Sequence, residues 1–149
     1  MKVSQIMRQP VVSMTEDDTL EEAARVMLEN NVRGVPIVNS EGKLTGFLSV
    51  SDFLAKDKRI PFSRVSALQL FGKWLDHEGI EKSYDEARRT PIKEVMSRTV
   101  FAVTEDETVD RVVELMVHHD LNRIPVVRDG VPVGIVARFD LLRMLLPRS

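Results

Sequence analysis

Two places in this sequence combine a carboxylate with free backbone donors at a spacing that suits a phosphorylated ligand, and the first adds hydroxyls. Ser49-Val50-Ser51-Asp52 follows one apolar, β-branched run, and Ala137-Arg138-Phe139-Asp140 follows another. A strand running into a helix start gathers unsatisfied N–H groups and the positive end of the helix dipole, which favours phosphate. Ser49 and Ser51 add hydroxyl donors there, and Asp52 brings a carboxylate of the kind that pairs with two ribose hydroxyls. A plainer role fits the same residues, since Ser51 and Asp52 are also good helix caps. The second corner is chemically poorer: Ala137 lacks a hydroxyl and Phe139 takes the place of Ser51. Its Arg138 can grip phosphate through a fork of donors or point to solvent.

Other chemistry finds little support. The chain has no Cys, so thiol nucleophiles, Cys-based zinc sites and iron–sulfur clusters are excluded. There is no G-x-x-x-x-G-K-[ST], H-E-x-x-H, G-x-S-x-G or G-x-G-x-x-G string. His118-His119-Asp120 could be joined with His77 as a metal site, but adjacent helical side chains face different ways; the run reads as a solvated helix end. Glu16-Asp17-Asp18 and Glu105-Asp106-Glu107 precede helices, where the dipole favours negative charge. The expectation is therefore no catalytic residue, no bound metal and no enzyme activity.

The elements that position these corners come in two copies. Ile6 to Val38 lies over Val95 to Val127 at a constant offset of 89 residues, with nine identities in 33 positions. These are Met7/Met96, Val11/Val100, Thr15/Thr104, Glu16/Glu105, Asp17/Asp106, Thr19/Thr108, Met27/Met116, Pro36/Pro125 and Val38/Val127. Chance gives about two. After one deletion the match continues at offset 88, GKLTGFLSVSDFL against GVPVGIVARFDLL. In each copy an apolar stripe at i, i+3, i+4, i+7, i+8 predicts a helix: Leu20, Ala23, Ala24, Met27 and Leu28, then Val109, Val112, Val113, Met116 and Val117. Thr19 with Glu22 forms a capping box, and Thr108 caps the second helix alone. Strands are predicted at Val35–Val38 and Leu44–Ser49, around a Glu41-Gly42 turn, and at Ile124–Val127 and Val131–Ala137, around Asp129-Gly130. A closing helix is predicted from near Asp52 and again from near Asp140. Each unit is thus about β-α-β-β-α, an α+β fold in which two sheets, each covered by helices on one face, stack together.

The predicted division is residues 1–54 for the first repeat, 55–91 for an insertion and 92–149 for the second repeat. The insertion carries Leu68, Leu70, Phe71, Trp74 and Leu75, too many large apolar residues for a flexible linker, and reads as helical. It packs over the module or serves as a partner-facing arm. With 43% hydrophobic residues, 21 Lys+Arg, 23 Asp+Glu and a net charge of −2, the 149-residue chain has a real core and no concentrated basic face. Nucleic acid is not an expected partner. MKVSQIMRQP lacks the apolar stretch of a signal peptide, and no apolar run approaches the ~20 residues that span a bilayer, so a cytoplasmic protein without membrane contact is expected.

The strings VRGVPIV and NRIPVV, followed by GFLSVSD and GIVARFD, resemble the cystathionine β-synthase (CBS) domain, whose signature is x-h-P-h-h and then G-h-h-(S/T)-x-x-D, with h apolar. The resemblance covers both repeats and implies a stand-alone CBS pair related by a pseudo-twofold axis, commonly a homodimer. It also implies clefts between the repeats that bind adenosine-containing ligands such as AMP, ADP, ATP, S-adenosylmethionine or NAD, with no cofactor required. Carried over residue by residue, cleft one would use Ser49, Ser51 and Asp52 with Arg33 on the phosphate side. Its adenine pocket would be Met96, Thr99, Val100 and Phe101 with Leu121, Asn122 and Ile124. Cleft two would use Asp140 with Asn122 and Arg123 near phosphate, Arg138 as a possible substitute for the missing hydroxyl, and a pocket of Met7, Pro10, Val11, Val12, Val32, Arg33 and Val35. The complete S-V-S-D string favours cleft one. The function implied is a regulatory module that relays ligand binding to a partner protein; the alternative is a ligand-free dimerisation or interaction module with vestigial clefts.

Overall fold

Two threonines at equivalent places start the two helices. In the computed structural model, which describes residues 1–54 and 84–147, the Thr19 hydroxyl accepts a hydrogen bond from the Glu22 N–H at 3.2 Å and opens α1 (Leu20–Glu29). Thr108 accepts from the Arg111 N–H at 3.4 Å and opens α2 (Val109–His119). These bonds satisfy donors that a helix start leaves free. Leu20, Ala23 and Met27 are buried on α1, and Val109, Val112, Leu115 and Met116 on α2. Leu28 and Val117, counted in the sequence stripe, are instead 82% and 74% exposed. Each lies eight residues on from the helix start, about 80° around the axis, so the buried stripe is narrower than the sequence pattern.

Each helix lies between the first two strands of a three-stranded sheet. The first sheet contains β1 (Met14–Thr15), β2 (Gly34–Val38) and β3 (Leu44–Ser49) in that order. The second contains β4 (Val103–Thr104), β5 (Arg123–Arg128) and β6 (Val131–Ala137) in the same order. In both, the first pair is parallel and the second antiparallel. A bulge falls at Ile37/Val38 in one sheet and at the equivalent Val126/Val127 in the other. The one-residue deletion between the copies sits in the β-turn that follows. In the first copy Asn39 Oδ1 accepts from the N–H groups of Glu41 and Lys43, both at 3.0 Å, and Gly42 takes a φ of 79°. In the second, Asp129 and Gly130 alone reverse the chain, with φ of 52° and 80°, the left-handed pair that a two-residue hairpin turn requires.

The two halves exchange their opening segments. Val3 and Ile6 are buried in the core under β4–β6, with Val103, Val109, Val112 and Ile124. Ile92, Val95 and Met96 are buried in the core under β1–β3, with Leu20, Ala23, Val35 and Leu48. The hydrogen bonds repeat with the sequence. Val3 N–H donates to Glu107 O at 2.9 Å, as Ile92 N–H does to Asp18 O at 2.8 Å. Arg8 exchanges backbone bonds with Ile135 (2.9 and 3.3 Å), as Ser97 does with Phe47 (both 2.9 Å). Residues 3–8 thus open the first repeat in sequence and complete the second core in space.

Of the predicted closing helices, the second differs in type and the first is described only as far as Leu54. The chain after β3 and after β6 forms 3-10 helices, Val50–Leu54 and Arg138–Leu145. In the second, Leu142, Met144 and Leu145 are exposed. A helix gains most of its stability by burying an apolar face, and this run buries Asp140 instead. Of the predicted insertion, residues 55–83 lie outside the described residues, including Phe71, Trp74 and His77. Residues 84–89 are helical, Ala87 is buried, and Thr90 O accepts from Leu20 N–H at 2.9 Å.

Candidate functional site

At the first corner the chain leaves β3 at Ser49 and turns at once into the 3-10 helix. Asp52 Oδ2 accepts from the Ser49 N–H at 2.8 Å and from the Ser49 hydroxyl at 3.3 Å. The Ser49 and Ser51 hydroxyls are 2.7 Å apart. Val50 N–H donates to Arg33 O at 3.1 Å, which fixes the start of β2 beside the corner. Ser49 and Asp52 are half-buried and Ser51 is exposed, so a polar cluster faces solvent at the point where backbone donors converge. The capping role that the sequence offers for Asp52 is thus seen in its bonds to Ser49.

The second corner has the same backbone and a different surface. Ala137 N–H donates to Asp140 Oδ2 at 2.8 Å, and Arg138 N–H to Asn122 O at 3.1 Å, matching Ser49–Asp52 and Val50–Arg33. Asp140 is only 1% exposed, because Arg8 Nε donates to its Oδ1 at 2.8 Å. The Arg8 guanidinium also lies 5.9 Å from the centre of the Phe139 ring. Arg138 is exposed and turned toward the end of α2. Its Nε donates to Leu121 O at 2.8 Å and its Nη2 to Asp120 Oδ1 at 3.1 Å, pinning the end of α2 where Asp120 adopts a φ of 51°. In this structure the Arg138 donors serve helix-end acceptors.

Between the corners stand two arginines. Arg33 precedes β2 and is exposed; Arg123 opens β5 and is half-buried. A methyl group added at Gly34 would lie 3.4 Å from Arg123 Cδ, so the Arg123 stem crosses the start of β2. Burial and the nearby Arg33 charge push the Arg123 guanidinium below its ordinary pKa. It remains a cation, since arginine does not lose its proton in water near neutrality.

The exchanged segments pass close to the sheets at two glycines. A methyl at Gly46 would meet Met96 Sδ at 2.5 Å and Ser97 O at 3.0 Å; one at Gly134 would meet Met7 Sδ at 2.8 Å and Arg8 O at 3.1 Å. Met96 therefore stands at the first sheet and Met7 at the second. Thr99 and Pro10 are exposed, and Val100 and Val11 half-buried, just beyond these contacts. Val35 and Ile124 are fully buried, so their side chains belong to the two cores and only their backbone can line a cleft. Val12 and Val32 pack against the first core, Phe101 and Leu121 against the second. The Phe101 ring stacks on His119 with centroids 3.9 Å apart. Asn122 is exposed. The sequence reading missed Arg8, whose signal was its alignment with Ser97, and the close approach at Gly46 and Gly134, whose signal was glycine at both equivalent positions. Among the described residues no group of three or more His, Cys, Asp or Glu could hold a metal ion.

A duplicated β-α-β-β-α unit with exchanged opening segments and paired Asp corners defines a tandem-repeat α+β protein. Residues 3–59 and 92–147 match the CBS domain, and the chain belongs to that family. It is 32% identical over 155 residues to protein MJ1426 of Methanocaldococcus jannaschii, covering 98% of this chain and 92% of the relative. It spans less than half the length of several other curated relatives. Among solved structures it superposes with a TM-score of 0.78 on the CBS domain of a CBS domain-containing membrane protein from Sphaerobacter thermophilus, at 36% identity, covering 99% of this chain and 90% of that one. The CBS domain pair of protein MJ0100, solved with 5-methylthioadenosine and S-adenosyl-L-methionine, gives 0.69 at 26% identity, covering 98% and 100%. No helix among the described residues is long and apolar enough to cross a membrane.

Proposed function

We propose that the chain is a ligand-sensing regulatory module that binds an adenosine-containing small molecule between its repeats and relays the binding to a partner protein. The observation that carries this reading is the Ser49/Ser51/Asp52 cluster at a strand-to-helix corner, with Ser49 and Asp52 half-buried and Ser51 exposed. In this reading the Asp52 carboxylate takes the ribose hydroxyls, and the serine hydroxyls and corner N–H groups take phosphate or carboxylate oxygens. Arg33 and Arg123 favour an anion, because two like charges held near each other gain when a negative group settles beside them. The MJ0100 domain pair, which holds 5-methylthioadenosine and S-adenosyl-L-methionine, supports the ligand class. The module acts without catalysis and as a homodimer. A ligand seated between segments of both repeats shifts their packing to the extent that it binds one arrangement better than another.

A second reading, an interaction module with vestigial clefts, is favoured by the buried Asp140 and by the exposed Phe139, Leu142, Leu145 and Leu146. A thermal-shift panel of AMP, ADP, ATP, S-adenosylmethionine and NAD separates the two. A ligand at ~100 times its Kd adds about 2.7 kcal/mol, which for a chain of this size raises Tm by roughly 6–10 °C. A concentration-dependent rise for one ligand supports sensing, and a flat panel sinks it. Light scattering of the free chain tests the homodimer: twice the chain mass supports it, and the single-chain mass removes it.

A further inference from the structure

The two corners differ in sequence at more than one position, and the structure joins those differences into one device. Arg8 stands where the other copy has Ser97, Phe139 where it has Ser51, and Ala137 where it has Ser49. The Arg8 guanidinium lies with Nε 2.8 Å from Asp140 Oδ1 and its carbon 5.9 Å from the centre of the Phe139 ring. Three hydroxyl-bearing positions are thus replaced by a cation, the ring beside it and a methyl. Oδ2 of Asp140 is held by the Ala137 N–H, and the side chain is 1% exposed, so neither oxygen faces solvent. Arg8 itself is 52% exposed and reaches the carboxylate from outside.

We propose that Arg8 is a strap over the second corner, occupying on Asp140 the place that a ligand's ribose hydroxyls would take, so that the chain binds one adenosine ligand tightly, at the Asp52 corner. This rests on the ligand-binding reading above and adds to it which corner is used and which residue decides. A ligand at the second corner must displace a hydrogen bond to a charged group, which lowers its affinity there by about 10- to 100-fold. The strap is built from the exchanged opening segment. It can lift without disturbing the backbone bonds between Arg8 and Ile135, since those use main-chain atoms only.

Isothermal titration calorimetry of the full chain with AMP, and in parallel with S-adenosylmethionine, tests the strap. One tight site per chain is expected in the wild type and two in Arg8→Ser, which copies the residue of the other repeat. Asp52→Ala is expected to remove the wild-type site and to leave the site gained in Arg8→Ser. If Arg8→Ser fails to fold, Arg8→Gln keeps a neutral donor for Asp140 while removing the charge, and two sites are again expected. Two comparable sites in the wild type, or no gained site in a folded Arg8 variant, overturn the strap and leave the ligand-binding reading standing. No heat with either ligand in either protein overturns both.

Discussion

Gly46→Ala probes the seat of the exchanged segment, on which both corners depend. The added methyl would lie 2.5 Å from Met96 Sδ and 3.0 Å from Ser97 O. Met96 is buried beside Ile92 and Val95, so its sulfur has little room to turn away. Ser97 O is held by the Phe47 N–H at 2.9 Å, and Ser97 N–H returns a bond of 2.9 Å to Phe47 O. Retreat of that segment weakens both bonds. Overpacking of this kind costs about 1–3 kcal/mol, and each strained hydrogen bond up to about 1 kcal/mol more. Against it, replacing glycine removes freedom from the unfolded chain, worth about 0.4–1 kcal/mol, because Gly46 is not among the positive-φ residues. The expected net loss is about 1–3 kcal/mol, a fall in Tm of roughly 3–12 °C by circular dichroism. Gly42→Ala is the contrast: nothing lies within 4 Å of its added carbon, and the penalty comes from a φ of 79°. Asparagine, which tolerates the left-handed region, should recover much of that loss at position 42 and none at position 46. A Gly46→Ala protein that melts at or above the wild type would refute the packing argument. So would additivity in a cycle with Met96→Ala, since residues in contact should couple by 0.5 kcal/mol or more.

Further outcomes follow from the same structure. Asp140→Ala strands the Ala137 N–H and unpairs Arg8, and should lower stability by about 2–4 kcal/mol in urea unfolding. Asp52→Ala, at a half-buried position, should lose about 1 kcal/mol, and equal losses would refute the burial argument. Arg138→Ala should fray α2, seen as faster amide exchange around Met116–His119, whereas unchanged exchange would show that its bonds to Leu121 and Asp120 do not hold the helix end. Lys93 is raised above its ordinary 10.5 by its hydrogen bond to Asp17 and by the Asp17 charge. A group raised on folding contributes stability below its unfolded pKa and loses it as pH climbs through the folded value. Asp17→Asn should therefore flatten the alkaline decline in stability that begins near pH 10.5, and an unaltered slope would count against the pair.

The sequence shows the repeat, and the repeat carries most of the fold. The Pro36/Pro125 strands, the Thr19/Thr108 caps and the Asp129-Gly130 turn all depend on local chemistry, which a short string records. Leu28 and Val117 were misplaced because periodicity gives the direction of a face and not its width; the width depends on which sheet residues lie beneath. The second closing helix differs from expectation for a related reason, since an apolar run near Leu142 and Leu145 signals a helix without showing what covers it. The exchange of opening segments left no mark in spacing at all. Val3, Ile6, Ile92 and Val95 are apolar in either arrangement, and only contacts across about ninety residues tell which core they fill. Arg138 shows the converse limit: its charge was plain, but its partners, Leu121 O and Asp120, were set by the geometry at the end of α2.

The exchange also bears on how such a module would signal. Each corner is formed by the end of one sheet and faced by the opening segment of the other repeat, through Phe47–Ser97 on one side and Ile135–Arg8 on the other. On the proposed reading, a ligand held at the Asp52 corner would act on Met96 and Ser97 as well as on β3, and through Ile92 and Val95 on the residues that tie the segment to Asp18 and Glu16. The equivalent ties at the other end, Val3 to Glu107 and Ser4 to Glu105, lie behind Arg8. Two matched levers thus join the halves, one ending in a small polar residue and the other in a charged strap. A symmetric pair would respond equally at both corners. On the proposed reading, Arg8 in one copy against Ser97 in the other makes the response one-sided: ligand at the Asp52 corner works against a half in which Asp140 is already paired, and the difference in packing between the halves is what a partner would read.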